Sequence, residues 1–183
     1  MSGMLEVKNI SKKFEETQVL SDFSAKFNGI VCITGDSGRG KTTLLRIILG
    51  LEAPDSGAVR TDGARFGVCF QEDRLFETLN AADNIRLAAG LKSPEAELRR
   101  LLPEEALGKS VKKLSGGQRR RVAIVRAMCA EADAFVLDEP FAGLDRENRG
   151  KAWRYICDKA GGKPVILALH EADIPEGAEV IRL

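Results

Sequence analysis

Apolar residues fall along this chain in two different rhythms. Near the start, LEVKNISKKF and QVLSDFSAKF alternate apolar and polar positions with a period close to two. That is the pattern of antiparallel strands that cover a core with one face and meet water with the other. Further on the alternation gives way to short, nearly continuous apolar runs: GIVCITG, AFVLDEP and PVILALH. The first two are followed by helix-like segments, TTLLRIILG and RENRGKAWRYICDKA. Strands buried on both faces and alternating with helices predict βαβ units and a parallel sheet. From about Thr78 to Lys113 the pattern turns helical, in NAADNIRLAAG and SPEAELRRLL, punctuated by Pro94, Pro103 and Gly108. The expected architecture is α/β: a mainly parallel core sheet, an N-terminal antiparallel β subdomain and a short helical insert at about 78–113. All of it is expected within a single domain of residues 1–183.

Composition narrows the partners. Lys+Arg 28 against Asp+Glu 27 leaves a net charge of +1, so bulk electrostatics gives no reason to expect nucleic acid or an acidic membrane surface. No run approaches the roughly 18–20 apolar residues that cross a bilayer. MSGMLEVKNISKKF has no apolar signal-peptide core. Work at a membrane would therefore need another chain to span it. Cys32, Cys69 and Cys129 lie in apolar stretches and Cys157 stands apart, with no CxxC pair among them. Reduced thiols are expected rather than zinc ligands or disulfides.

Gly35-Asp36-Ser37-Gly38-Arg39-Gly40-Lys41-Thr42 matches G-x-x-x-x-G-K-[ST], between an apolar run and a helix start. Such a loop turns backbone N–H groups inward around phosphates, and the following helix adds its positive end. The candidate nucleotide contacts are Gly35, Ser37, Gly38, Arg39 and Gly40, with Lys41, Thr42 and Thr43 at the helix start. Lys41 would reach the β- and γ-phosphates of ATP, and the Thr42 hydroxyl would ligate Mg²⁺. The loop alone leaves hydrolases, small-molecule kinases and GTPases open.

The run Ala134–Leu137 ends in Asp138-Glu139. Neighbouring side chains on a strand point to opposite sides, so the two acids can take different tasks. Asp138 would support the Mg²⁺ shell, and Glu139 would polarise an attacking water as general base.

Leu114-Ser115-Gly116-Gly117-Gln118 opens the helix-like RRRVAIVRAMCAEA. A serine and two glycines at a helix start offer a hydroxyl, unobstructed N–H groups and a dipole end, which suits a γ-phosphate. With this segment the chain resembles the nucleotide-binding subunits of ABC transporters, P-loop NTPases, over essentially its whole length. Other segments match in order. Gln71 follows FGVCF where the family has its Q-loop glutamine. Gly143-Leu144-Asp145 falls where the family has its D-loop, and His170 follows PVILAL where it has its switch histidine. Phe14 takes the place of the aromatic that stacks on adenine.

The resemblance implies an ATPase that works as a head-to-tail dimer. Ser115, Gly116, Gly117 and Gln118 would serve the nucleotide of a second copy or paralogue, and Asp145 would lie at the shared site. His170 would contact the γ-phosphate. Gln71 would bind Mg²⁺ or water and report the state of the site to an integral-membrane permease at the inner face of the cell membrane. A solute-binding protein is a further partner of such systems. Phe70-Gln71-Glu72-Asp73-Arg74-Leu75 is similar to the nitrate, sulfonate and taurine importer group, a likeness too short to name a cargo.

The stretch from Gln71 to Leu114 is shorter than is usual for such importers, so the surface that receives the permease is expected to be reduced. The tail after His170 is brief and ends in a strand. Arg119, Arg120 and Arg121 are expected on a solvated helix face. A soluble ABC ATPase, such as one for iron–sulfur cluster assembly, is the alternative. A small-molecule kinase leaves LSGGQ and the acidic pair without a role.

Overall fold

The computed structural model describes residues 5–36 and 38–183. The two rhythms of the sequence become two sheets. β1 (Leu5–Phe14), β2 (Thr17–Phe27) and β4 (Ser56–Arg60) form an antiparallel sheet in the order β2-β1-β4. β1 runs opposite β2 with Leu5 facing Phe27, and opposite β4 with Val7 facing Val59. β3 (Ile30–Thr34), β5 (Phe66–Cys69), β6 (Ala134–Asp138), β7 (Val165–Ala168) and β8 (Glu179–Arg182) form the second sheet, in the order β5-β6-β7-β3-β8. Every pairing within it is parallel.

Alternation along the parallel strands divides the interior into two cores. Val31 and Ile33 of β3, Val136 of β6, and Ile166 and Ala168 of β7 face α1 (Lys41–Ile48) and the antiparallel sheet, meeting Leu44, Ile48, Val7 and Phe27. Cys32, Phe135, Leu137, Val165 and Leu167 face the other way, toward α5 (Gly116–Met128) and α6 (Arg146–Ala160). Both faces are covered, which explains why these strands read as continuous apolar runs. Each fully buried aliphatic or aromatic side chain in these layers stabilises the fold by about 1.5–3 kcal/mol.

α5 lies close against β5. A Cβ on Gly67 would sit 2.4 Å from the Ala127 carbonyl oxygen and 2.6 Å from the Phe135 ring, so only glycine permits this approach. The expected helical segment holds α2 (Ala81–Ala89), α3 (Glu95–Arg99) and α4 (Glu104–Leu107). Ala81, Ile85, Leu98 and Leu101 pack into the α5 side of the core. The helix expected over SPEAELRRLL is realised only over Glu95–Arg99. A Leu101 N–H to Leu98 C=O bond of 3.0 Å tightens its last turn ahead of Pro103, which disfavours further helix. β4 has no counterpart among the expected strands, because SGAVR is short, largely exposed and only weakly alternating.

Cys32 and Cys69 are buried, and burial pushes both thiols up to about 11. Cys129 is only half-buried, with its sulfur 3.5 Å from the Tyr155 hydroxyl.

Candidate functional site

Four adjacent parallel strands deliver the candidate residues to one edge. β3 runs into the glycine-rich loop, β5 leads to Gln71, β6 ends at Asp138 with Glu139 next, and β7 leads to His170. In open α/β sheets this carboxyl edge is where ligands bind. A cleft there is lined by Gly38, Gly40, Lys41, Thr42, Thr43, Gln71, Glu139 and His170. Ser37 lies outside the described residues.

The loop is held by its contacts. Gly40 precedes α1 at φ 88°, and a Cβ there would lie 2.5 Å from the Val19 carbonyl oxygen. Any other residue would meet both backbone strain and a clash with β2. No side chain caps α1, and its first turn carries no acidic residue. The unpaired N–H groups and the positive helix end therefore favour an anion. Lys41 is 6% exposed and donates from Nζ to the carbonyls of Gly35 at 2.6 Å and Asp36 at 3.1 Å, folding the loop around its own ammonium. Arg39 pairs with Asp36 at 3.3 Å on the exposed side of the loop.

Asp138 is 6% exposed, and burial pushes its carboxyl above the usual aspartate value even though the Thr42 hydroxyl donates to it. Its Oδ1 is buried without a hydrogen-bond partner. An unpartnered carboxylate oxygen in a dry setting is costly unless a cation or donor meets it. Among the described residues no cluster of three or more His, Cys, Asp or Glu forms a metal cage. Mg²⁺ needs none, since it commonly takes one or two protein oxygens with phosphates and water. The hard-oxygen pair Thr42 and Asp138 fits that requirement.

Glu139 and His170 meet, with Nε2 of His170 3.1 Å from Oε1 of Glu139. Glu139 has φ 47°, a left-handed backbone that costs a non-glycine residue about 1–3 kcal/mol and persists only where its surroundings hold it. β6 ends at Asp138 and the next residue, Glu139, turns with its side chain lining the cleft.

The remaining candidates lie elsewhere. Phe14, at the end of β1, is 44% exposed with Lys12 Nζ 5.1 Å from its ring centroid, and does not line the cleft. Asp145 caps α6, accepting from the Asn148 backbone at 2.8 Å and side chain at 2.7 Å. Residues 114–118 also do not line the cleft. Ser115 caps α5 in a complete capping box: its Oγ accepts from Gln118 N–H at 3.2 Å, and Gln118 Oε1 accepts from Ser115 N–H at 3.0 Å. The Ser115 hydroxyl proton is left to donate elsewhere. Ser115 and Gly116 are exposed.

One expectation fails. Arg120 and Arg121 are not solvated but buried, at 3% and 7% exposed. Arg121 lies near Asp145, and burial lowers its pKa. Arg120 reaches the backbone of residues 70–71 and 138–139, placing it directly beneath the cleft. Only Arg119 remains partly exposed, donating to the Leu114 carbonyl at 3.2 Å.

Comparison with known proteins adds sequence and structural kinship. A family model described as ABC transporter matches residues 20–142. A taurine import ATP-binding protein of Pseudomonas aeruginosa is 38% identical, over 92% of this chain and 73% of its own length. An aliphatic sulfonates import ATP-binding protein of Burkholderia cenocepacia is 37% identical, over 85% of this chain and 63% of its own length. The chain thus spans only about two thirds of these relatives. The aligned span with the taurine relative, 194 residues, exceeds the 183 residues present here, so that relative has stretches this chain lacks. The dimeric structure of a post-hydrolysis state of an ATP-binding cassette with ADP and Pi superposes with a TM-score of 0.81 at 25% identity, covering 98% of this chain and 94% of that one.

Proposed function

The chain belongs to the ABC transporter family, and from that premise we propose that it is the ATP-binding subunit of an importer. It hydrolyses Mg²⁺-ATP in a head-to-tail dimer and drives a separate membrane permease. The observation that carries this reading is the cleft that gathers Lys41, Thr42, Gln71, Glu139 and His170, with Thr42 hydrogen-bonded to Asp138, whose Oδ1 has no partner.

In this reading the loop from Gly35 to Thr43, together with Ser37, cradles the phosphates. Lys41 exchanges its loop carbonyls for β- and γ-phosphate oxygens. Thr42 and Asp138, with Gln71, would hold Mg²⁺, which would neutralise phosphate charge when bound. Glu139 orients and polarises the attacking water, and His170, already against its carboxylate, faces the γ-phosphate. Catalysis is then positioning and charge stabilisation. Phe14 stacks on adenine. Ser115, Gly116, Gly117 and Gln118, exposed or partly so and away from their own cleft, complete the cleft of a second copy or paralogue beside Asp145.

Residues 1–183 serve as one ATPase domain with an insert at about 78–113. No helix among the described residues is long and apolar enough to cross a membrane. The subunit sits on the cytoplasmic face of the membrane through its permease, supplied by a solute-binding protein. The import functions of its relatives support this over a soluble assembly ATPase. The short stretch from Gln71 to Leu114 supports a reduced insert here and an unusual docking surface.

Glu139→Gln tests the reading. It is expected to lower steady-state turnover about 100-fold or more while ATP still binds and an ATP-bound dimer accumulates. Full turnover in that variant would remove Glu139 from its role, and a wild-type chain that does not bind ATP with Mg²⁺ would end the proposal.

A further inference from the structure

Arg120 does more than fill space beneath the cleft. Its Nη1 donates to the carbonyls of Phe70 at 2.6 Å and Gln71 at 3.2 Å. Its Nη2 donates to the carbonyls of Asp138 and, at 2.8 Å, of Glu139. The Asp73 carboxylate, 3.2 Å from Nη1, balances the buried charge. Both carbonyl pairs stand in the same relation to one residue. The Phe70 and Gln71 carbonyls belong to the two peptide planes that flank the Gln71 Cα. Those of Asp138 and Glu139 belong to the planes that flank the Glu139 Cα.

A residue's φ and ψ are the rotations of its two flanking planes. Anchoring both planes to one nitrogen fixes those rotations, and with them the direction in which the side chain leaves. Arg120 therefore sets the backbone of two residues that line the cleft just after two different strands. One of them, Glu139, stands at φ 47°, where its surroundings must hold it. Only a planar guanidinium presents two amino nitrogens at fixed separation. A lysine ammonium is a single point with three donors.

We propose that Arg120 is a positioning residue, a strut that locks Gln71 to Glu139, so that movement of the loop at 70–74 displaces the general base. Its kinetic consequence rests on the ATPase reading, whereas the backbone restraint stands apart from it. Arg126, also on α5, provides an internal control. It donates to the carbonyls of Asp73 at 2.9 Å and Arg74 at 2.5 Å, so it holds the same loop with no bond to residues 138–139.

The test compares Arg120→Met with Arg126→Met in the full chain by steady-state ATPase kinetics and by amide hydrogen exchange. Arg120→Met is expected to lower kcat about tenfold or more with KM within about twofold, the split produced by a misplaced catalytic group. Arg126→Met should keep kcat within about threefold. Exchange should accelerate at both 71–74 and 139–142 in Arg120→Met, and at 71–74 alone in Arg126→Met. If Arg120→Met does not fold, Arg120→Lys, which keeps the charge and loses the fork, takes its place with the same expectations. Wild-type kcat in the Arg120 variant, an equal kcat loss in both variants, or unchanged exchange at 139–142 would overturn the strut. A wild-type chain without ATPase activity would defeat the functional reading alone, and exchange would still decide the strut.

Discussion

Two helices of this molecule begin at segments suited to phosphate, and they begin in opposite ways. α1 starts after Gly40 at φ 88°, on a buried lysine and without a side-chain cap. α5 starts after Ser115 at φ −65°, inside a closed capping box. Every helix leaves its first N–H groups unpaired. At α1 they face the cleft of their own chain and gain most from a bound anion. At α5 Ser115 already satisfies the N–H of Gln118, so the segment is ordered with nothing bound. The first start is a receptor completed by its ligand. The second is a finished surface, suited to being offered to another chain.

Disabling the two starts should therefore have different consequences. Lys41→Ala removes the charge at the α1 start and should weaken ATP binding by the isolated chain about 30-fold or more, measured by equilibrium titration. Ser115→Arg should leave that affinity within about twofold and abolish the ATP-induced dimer in light scattering, since an exposed cap is replaced by a bulky cation. If Ser115→Arg weakened ATP binding by the monomer as Lys41→Ala does, the division between receptor and offered surface would fail.

Asp138→Asn is a smaller test of the α1 side. It replaces a buried carboxylate whose Oδ1 has no partner. Without nucleotide the melting temperature should rise by about 2–4 °C. Adding Mg²⁺-ATP should then stabilise the wild type more than the variant. A variant that melts lower without nucleotide would mean that this carboxylate is not a cost to the empty fold. Smallest is Ser115→Ala, which removes the α5 cap and should cost about 1 kcal/mol of stability in urea unfolding without nucleotide. No measurable cost would show that the capping box does not hold the start of α5.

Much of this was legible in the sequence because the signals were local. GIVCITG and AFVLDEP have no polar side to expose, so burial on both faces followed directly, and RENRGKAWRYICDKA matches α6 residue for residue. The glycine loop, Asp138-Glu139, Gln71 and His170 each end or follow a strand. A parallel sheet brings such ends to one edge. Arg120 and Arg121 were misread because a run of three arginines resembles a solvated face. The correcting signal was Val122-Ala123-Ile124-Val125, an apolar turn that leaves α5 no polar side and puts Arg120 in line with buried Ile124. The five acceptors of Arg120 come from the residues after β5 and from the end of β6 with the residue after it, a three-way meeting with α5 that spacing along one segment does not encode. β4 escaped notice because its order depends on β1 rather than on its own pattern.

The strand order also has a consequence for how the protein is made. β3, which carries the glycine loop, lies between β7 and β8, and Val31 pairs with Ile166 on one side and Glu179 on the other. The loop emerges early from a ribosome, yet both neighbours of its strand are synthesised long after it. Contacts between such distant segments form slowly. A nascent chain halted before residue 165 would carry the complete loop and strand β3 with neither flanking strand to seat them. Nucleotide could then be gripped only once β7 and β8 have been made, so its capture would mark the closing of the sheet around the loop.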